Sequence, residues 1–247
     1  MTAEENSDPF IYKKIDKHSP FRIVFLSGLG LDIRQQREGF FRRFALTHSV
    51  SYLALDYTKF ITQYPEHQDK RTKESFTKTW NVLREIQQEK LILVGACFGG
   101  LMALKVAEKI PDRIAGIITF SPPYETATYP MLNSSETFLK KRIEALKRRN
   151  ANIQILNKMT TFQQVVIKAF KMHSQTPIQP IYQGHLSIFH GKNDNLIPSE
   201  NSHHIKKALQ NKHCHVHIIP QTGHSLATDF EMKRPLRILK AYLEKSR

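Results

Sequence analysis

The sequence predicts an α/β protein built on a mostly parallel, doubly wound sheet, and three observations predict it. Short apolar runs recur along the chain, from Phe21–Leu26 through Val50–Leu55, Leu91–Val94 and Ile114–Phe120 to Val216–Ile219. Stretches with helical spacing separate them, and alternation of strands with helices makes a parallel sheet covered on both faces. The third observation is local. Leu91-Ile92-Leu93-Val94 breaks into Gly95-Ala96-Cys97-Phe98-Gly99-Gly100 and then into a helical stretch from Leu101 to Ile110, which is a strand–turn–helix.

Taken in order, residues 10–15 form a leading strand expected to pair with Phe21–Leu26. The strand at Val50–Leu55 ends at Asp56, where a turn cap explains the carboxylate as well as an active-site role does. Lys70 to Glu89 reads as a helix, since Phe76, Trp80, Leu83 and Ile86 recur at spacings of three and four. The strand Ile114–Phe120 is stopped by Ser121-Pro122-Pro123. His185–His190 reads as a strand, and Ile197-Pro198-Ser199 opens a helix to Leu209, with Pro198 suited to its first turn. Leu226 to Glu244 is the closing helix.

The glycines around Cys97 let the chain turn too tightly for a side chain and push the apex residue out of the sheet with strained backbone angles. At such an apex a thiol is placed to attack an acyl carbon. Two partners follow in order, each just past a strand. Asp194 lies in Gly191-Lys192-Asn193-Asp194 after one, and His224 in Pro220-Gln221-Thr222-Gly223-His224 after another. His224 would take the thiol proton, while Asp194 would fix the imidazole tautomer and stabilise its charged form. Ser27-Gly28-Leu29-Gly30 follows the strand Phe21–Leu26, the place for a loop amide. The expected oxyanion hole is therefore the backbone N–H of Leu29 and that of Phe98, the residue after the nucleophile.

On these four motifs the chain resembles the α/β-hydrolase fold superfamily, in a variant with a Cys nucleophile, from about Phe21 to the C-terminus. It departs from the usual pattern in carrying Cys rather than Ser at the elbow, and Ser27-Gly28 where His-Gly is common. The resemblance implies one domain over residues 1–247, with a helical lid inserted at 124–180. Thiol nucleophiles in this fold resemble those of dienelactone hydrolases, polyhydroxyalkanoate synthases and some carrier-protein thioesterases. The expected activity is hydrolysis of an ester or thioester through an acyl-Cys97 intermediate. Transfer of the acyl group to an alcohol, amine or thiol is the first alternative, and a non-catalytic ligand-binding relative is the second. The chemistry calls for no cofactor and no metal.

Length and composition agree. A chain of 247 residues with 40% apolar content fits a single α/β domain. No apolar run approaches the ~20 residues that span a bilayer. Residues 1–8 are polar and acidic, unlike a signal peptide, and the sequence holds two cysteines, so a cytoplasmic location is expected.

Between Tyr124 and Pro180 the strand–helix rhythm lapses. Two helical patterns, Ser135–Arg149 and Thr161–Met172, are bracketed by prolines 122, 123, 130, 177 and 180. They read as a lid over the site with an apolar acyl pocket, although helices completing the core would show the same pattern. Charge is the other unusual feature, with 37 Lys+Arg against 22 Asp+Glu and a formal net charge of +15. Lys140-Lys141-Arg142 and Lys147-Arg148-Arg149 concentrate it within the lid segment. An anionic partner fits that charge, namely acyl-coenzyme A, an acyl carrier protein or peripheral contact with an anionic membrane. A solvated basic face fits it equally. Nucleic acid is not supported, because the basic residues lack interleaved aromatics or a helix-turn-helix. His213, His215 and His217 alternate along a strand without an evident fourth ligand, so an exposed face is expected there, with Cys214 pointing inward.

Overall fold

The structure is a computed structural model that describes residues 10–29, 33–62, 67–124 and 177–245. The expected lid at 124–180 lies outside the described residues apart from its two ends. The elements are β1 (Ile11–Ile15), β2 (Phe21–Leu26), α1 (Ile33–Thr47), β3 (Ser51–Leu55), α2 (Tyr57–Thr62), α3 (Gln68–Glu85), β4 (Lys90–Ala96), α4 (Phe98–Lys109), β5 (Ile114–Phe120), β6 (Leu186–Gly191), α5 (Glu200–Leu209), β7 (Cys214–Ile219) and α6 (Asp229–Lys245). Among the described residues the strands form one sheet in the order β1-β3-β2-β4-β5-β6-β7. All pairings are parallel except β1 with β3.

Strand alternation divides the apolar runs between two cores. Ile23, Phe25, Ile92, Val94, Ile118 and Phe120 face Phe41, Met232, Leu239 and Tyr242, contributed by α1 and α6. Val24, Leu26, Leu91, Leu93 and Ile117 face Leu83, Leu101, Met102 and Ile205, contributed by α3, α4 and α5. Because side chains one residue apart point to opposite faces, a strand covered on both sides must be apolar at nearly every position. That is why the central strands read as unbroken runs.

The leading strand does not pair as expected. β1 runs antiparallel along β3, with Ile11 opposite Leu55 and Ile15 opposite Tyr52, while β2 lies between β3 and β4. Burial explains the difference. β2 is buried at all six residues and suits the sheet interior, whereas β1 alternates half-buried and exposed residues, which suits an edge. Two helices also start later than expected. The Asp194 carboxylate accepts the N–H groups of Leu196 (2.9 Å) and Ile197 (3.0 Å), holding that segment in a turn, so α5 begins at Glu200. α6 begins at Asp229 behind a reciprocal cap: Thr228 N–H donates to Glu231 (2.7 Å) and Glu231 N–H donates to Thr228 (3.3 Å). Pro198 consequently precedes α5, its carbonyl accepting from Asn201 N–H at 3.0 Å.

The chain leaves β2 for β3 on one side and later enters β4 on the other. Neighbouring strands β2 and β4 therefore send their following loops apart, opening a crevice at their C-terminal ends. The loop Ser27–Leu29 and the Cys97 elbow both border it.

Candidate active site

Cys97 stands between β4 and α4 with φ 51° and ψ −117°, in a region that L-residues rarely adopt. Such backbone costs on the order of 1–3 kcal/mol and persists only where its surroundings enforce it. Here the packing does so. A Cβ on Gly99 would run into the Leu26 carbonyl, and one on Gly95 into the Gly99 carbonyl, so the turn closes only with glycine at both places. The Cys97 N–H donates to Phe120 O at 2.7 Å, tying the elbow to β5. A Cβ built on Gly28 would lie 3.2 Å from Cys97 Cβ, which places the β2 loop directly against Cys97. Ser27 anchors that loop: its hydroxyl accepts Tyr57 N–H at 3.0 Å, and its own N–H donates to Leu55 O at 3.1 Å. Leu29 is buried beside it, and the Phe98 ring packs edge-on against Tyr57 with centroids 5.2 Å apart.

His224 reaches the elbow from the loop after β7. Its side chain hydrogen-bonds to Cys97, and its Nδ1–H donates to Asp194 Oδ2 at 2.7 Å. The three expected side chains are thus contiguous, contributed by the C-terminal edges of β4, β6 and β7. Burial would push the imidazole down, but the Cys97 sulfur and the Asp194 carboxylate outweigh it and push His224 up to about 10. Burial would likewise raise the Asp194 carboxyl, yet hydrogen bonds from His190 and His224 hold it far below the usual carboxylate range. The arrangement favours a charged imidazole held between the Asp194 carboxylate and the Cys97 sulfur.

The sequence profile of the α/β hydrolase fold family matches residues 70–186, which include the elbow. Among solved structures, mouse alpha/beta hydrolase domain-containing protein 10 superposes with a TM-score of 0.71 at 15% identity, covering 98% of each chain. The Paleococcus ferrophilus monoacylglycerol lipase gives 0.60 at 17% identity over 94% of this chain and 98% of that one. The 2-hydroxy-6-oxo-6-phenylhexa-2,4-dienoate hydrolase of a Rhodococcus species gives 0.63 at 18% identity over 93% and 92%. No curated protein sequence matches the chain. This chain has the α/β-hydrolase fold.

Within that fold, three side chains support the site without having been singled out in the sequence. His190, fully buried in β6, points Nε2 at two acceptors, Ile197 O (2.9 Å) and Asp194 Oδ2 (3.2 Å). Nε2 must therefore carry the proton, and Nδ1 accepts from the Ser202 hydroxyl at 2.6 Å. His190 and His224 converge on one carboxylate oxygen while the loop amides take the other. The third is Arg37 of α1, whose Nε donates to Leu226 O at 2.6 Å. A His-Gly-x-x-Asp run in the sequence hints at His190; nothing local marks Ser202 or Arg37.

Other expected features are not part of this group of three side chains. Asp56 is fully buried at the end of β3, its N–H donating to Phe10 O and its carbonyl accepting from Phe60. The histidines flanking Cys214 do not converge, and no cluster of three or more metal-ligating side chains occurs among the described residues. His213 packs edge-on against His185, and His217 lies on Phe189, where burial pushes its imidazole down to about 4. Cys214 points into the core, and burial pushes its thiol up to about 11. No described helix is long and apolar enough to cross a membrane.

Proposed function

We propose that the chain hydrolyses an ester or thioester through a covalent acyl-Cys97 intermediate. The observation that supports this most is the contiguous chain of hydrogen bonds from Cys97 through His224 to Asp194, set on a positive-φ elbow. The Cys97 thiolate attacks the acyl carbon, and the carbonyl electron pair moves onto oxygen. The N–H groups of Leu29 and Phe98 receive that oxyanion; Phe98 is the residue after Cys97 and opens α4. The His224 imidazolium gives its proton to the departing oxygen or sulfur as the tetrahedral centre collapses to an acyl-thioester. Neutral His224 then draws a proton from water, which attacks the thioester and releases the acid and the Cys97 thiolate. Asp194 holds Nδ1 throughout, so that Nε2 faces the reaction.

Lipase and hydrolase names among the similar structures suit this reading. The basic composition favours substrates carrying phosphate or carboxylate, such as acyl-coenzyme A or an acyl carrier protein, and leaves room for peripheral contact with an anionic membrane. Both cysteines are free, which suits the reducing cytoplasm. Cys97→Ala should abolish turnover of p-nitrophenyl and coenzyme A esters while leaving the unfolding midpoint near that of the parent. Free acid as the product assigns hydrolysis; acyl product on an added alcohol, amine or thiol assigns transfer. Undiminished turnover by the Ala variant would overturn the proposal.

A further inference from the structure

Arg37 is a fully buried cation whose hydrogen bonds go to carbonyls rather than carboxylates. Its side chain is 2% exposed. Nε donates to Leu226 O at 2.6 Å and Nη2 to His224 O at 3.4 Å, so the guanidinium fork grips the backbone of the loop that carries the imidazole. Its plane lies over the Phe120 ring, with Cζ 5.1 Å from the centroid. Phe120 is the residue whose carbonyl accepts the Cys97 N–H. A single side chain from α1 thus touches the segments that hold both the nucleophile and its base.

Burying an unneutralised charge is expensive, and neutral side chains of similar bulk would serve a merely structural clamp. The charge finds its counterpart in the triad. With Cys97 as thiolate, His224 as imidazolium and Asp194 as carboxylate, the buried group carries one net negative charge. Arg37 brings it to zero. The charged groups facing this cluster are Arg37 from α1, Asp194 after β6, His224 after β7 and Glu231 on α6, with His190 behind Asp194. Glu231 accepts the N–H groups of Ala227 and Thr228 at the start of α6, keeps its negative charge there, and also acts on Arg37 from outside the three-residue group.

We infer that Arg37 is a positioning residue of the site: it holds the His224 loop through two carbonyls and supplies the positive charge that keeps the Cys97 thiolate ionised. The inference rests on Cys97 being the nucleophile. In the transition state the negative charge moves from sulfur to the oxyanion while His224 stays charged, so the balance that Arg37 completes persists through acylation. Loss of the charge and loss of the fork should therefore have different signatures.

The test is the pH dependence of iodoacetamide alkylation at Cys97, followed by peptide mass spectrometry, with Cys214 as internal control. In the parent protein Cys97 should alkylate at mildly acidic pH, where Cys214 does not react; absence of that reactivity would sink the nucleophile assignment itself. Given that reactivity, Arg37→Gln, neutral but still a donor, should move the Cys97 midpoint up by about one pH unit or more. Arg37→Lys should leave the midpoint close to the parent's while kcat falls, because a single ammonium cannot span both carbonyls. A folded Gln variant with the parent's alkylation profile overturns the inference. Failure of both variants to fold overturns it as well, since Arg37 would then be holding the structure rather than the site.

Discussion

In the proposed mechanism Asp194 serves stability and chemistry at once. Its carboxylate collects two loop amides and two imidazoles, which keeps it ionised far below the usual range. A group whose folded-state pKa is depressed adds stability above its unfolded value, roughly 4, and that stability is lost as pH falls below it. Asp194→Asn should therefore melt below the parent at pH 7, with the gap closing under acid; thermal unfolding from pH 7 to 3 measures it. Turnover should drop by up to ~10⁴-fold, the loss seen when a triad loses its orienting carboxylate. The drop should be smaller if the thiolate forms readily without help. A variant that keeps near-parental activity would mean that another carboxylate, with Asp229 nearest in sequence, orients His224.

At the scale of elements, the sheet rests on local signals of unequal legibility. The elbow was readable because only glycine fits at Gly95 and Gly99, and glycine spacing is visible in a sequence. The central strands were readable because double-sided burial leaves an apolar run. The pairing of β1 was not, since it depends on which edge of the sheet stays open rather than on the strand's own residues. Helix α1 is hard to read from sequence because its charged residues and Gly39 interrupt the apolar spacing, although Phe41 and Ala45 are buried. His190, Ser202 and Arg37 act through contacts made only after folding, so the sequence offered their residue types without their partners. Two substitutions weigh these elements against each other. Gly99→Ala should cost roughly 2–4 kcal/mol and displace Cys97, because its Cβ meets backbone that cannot yield. Thr228→Ala removes one cap of α6 and should cost about 1 kcal/mol, with alkylation of Cys97 unchanged. Chemical denaturation with activity measured in parallel separates the two. Equal effects would mean that the elbow is more pliable than its packing implies.

Across the chain as a whole, the formal charge of +15 raises the proposal that an anionic substrate is captured electrostatically, and this is open to test. Replacing Lys141, Arg142, Arg148 and Arg149 by Gln should raise KM for acyl-coenzyme A and leave KM for a small neutral ester unchanged. The preference of the parent for the anionic substrate should fade with added salt, since exposed charges are screened beyond about 8 Å at physiological ionic strength. Identical responses from both substrates would reduce the basic residues to a solvated face. The central claim is covalent, and a rapid acid quench during turnover tests it most directly. Peptide mass spectrometry of the quenched protein should find the substrate's acyl mass on the peptide bearing Cys97, labile to hydroxylamine, and accumulating when His224→Asn slows deacylation more than acylation. Turnover with an unmodified Cys97 at every quench time, or an acyl group on another side chain, would contradict the account.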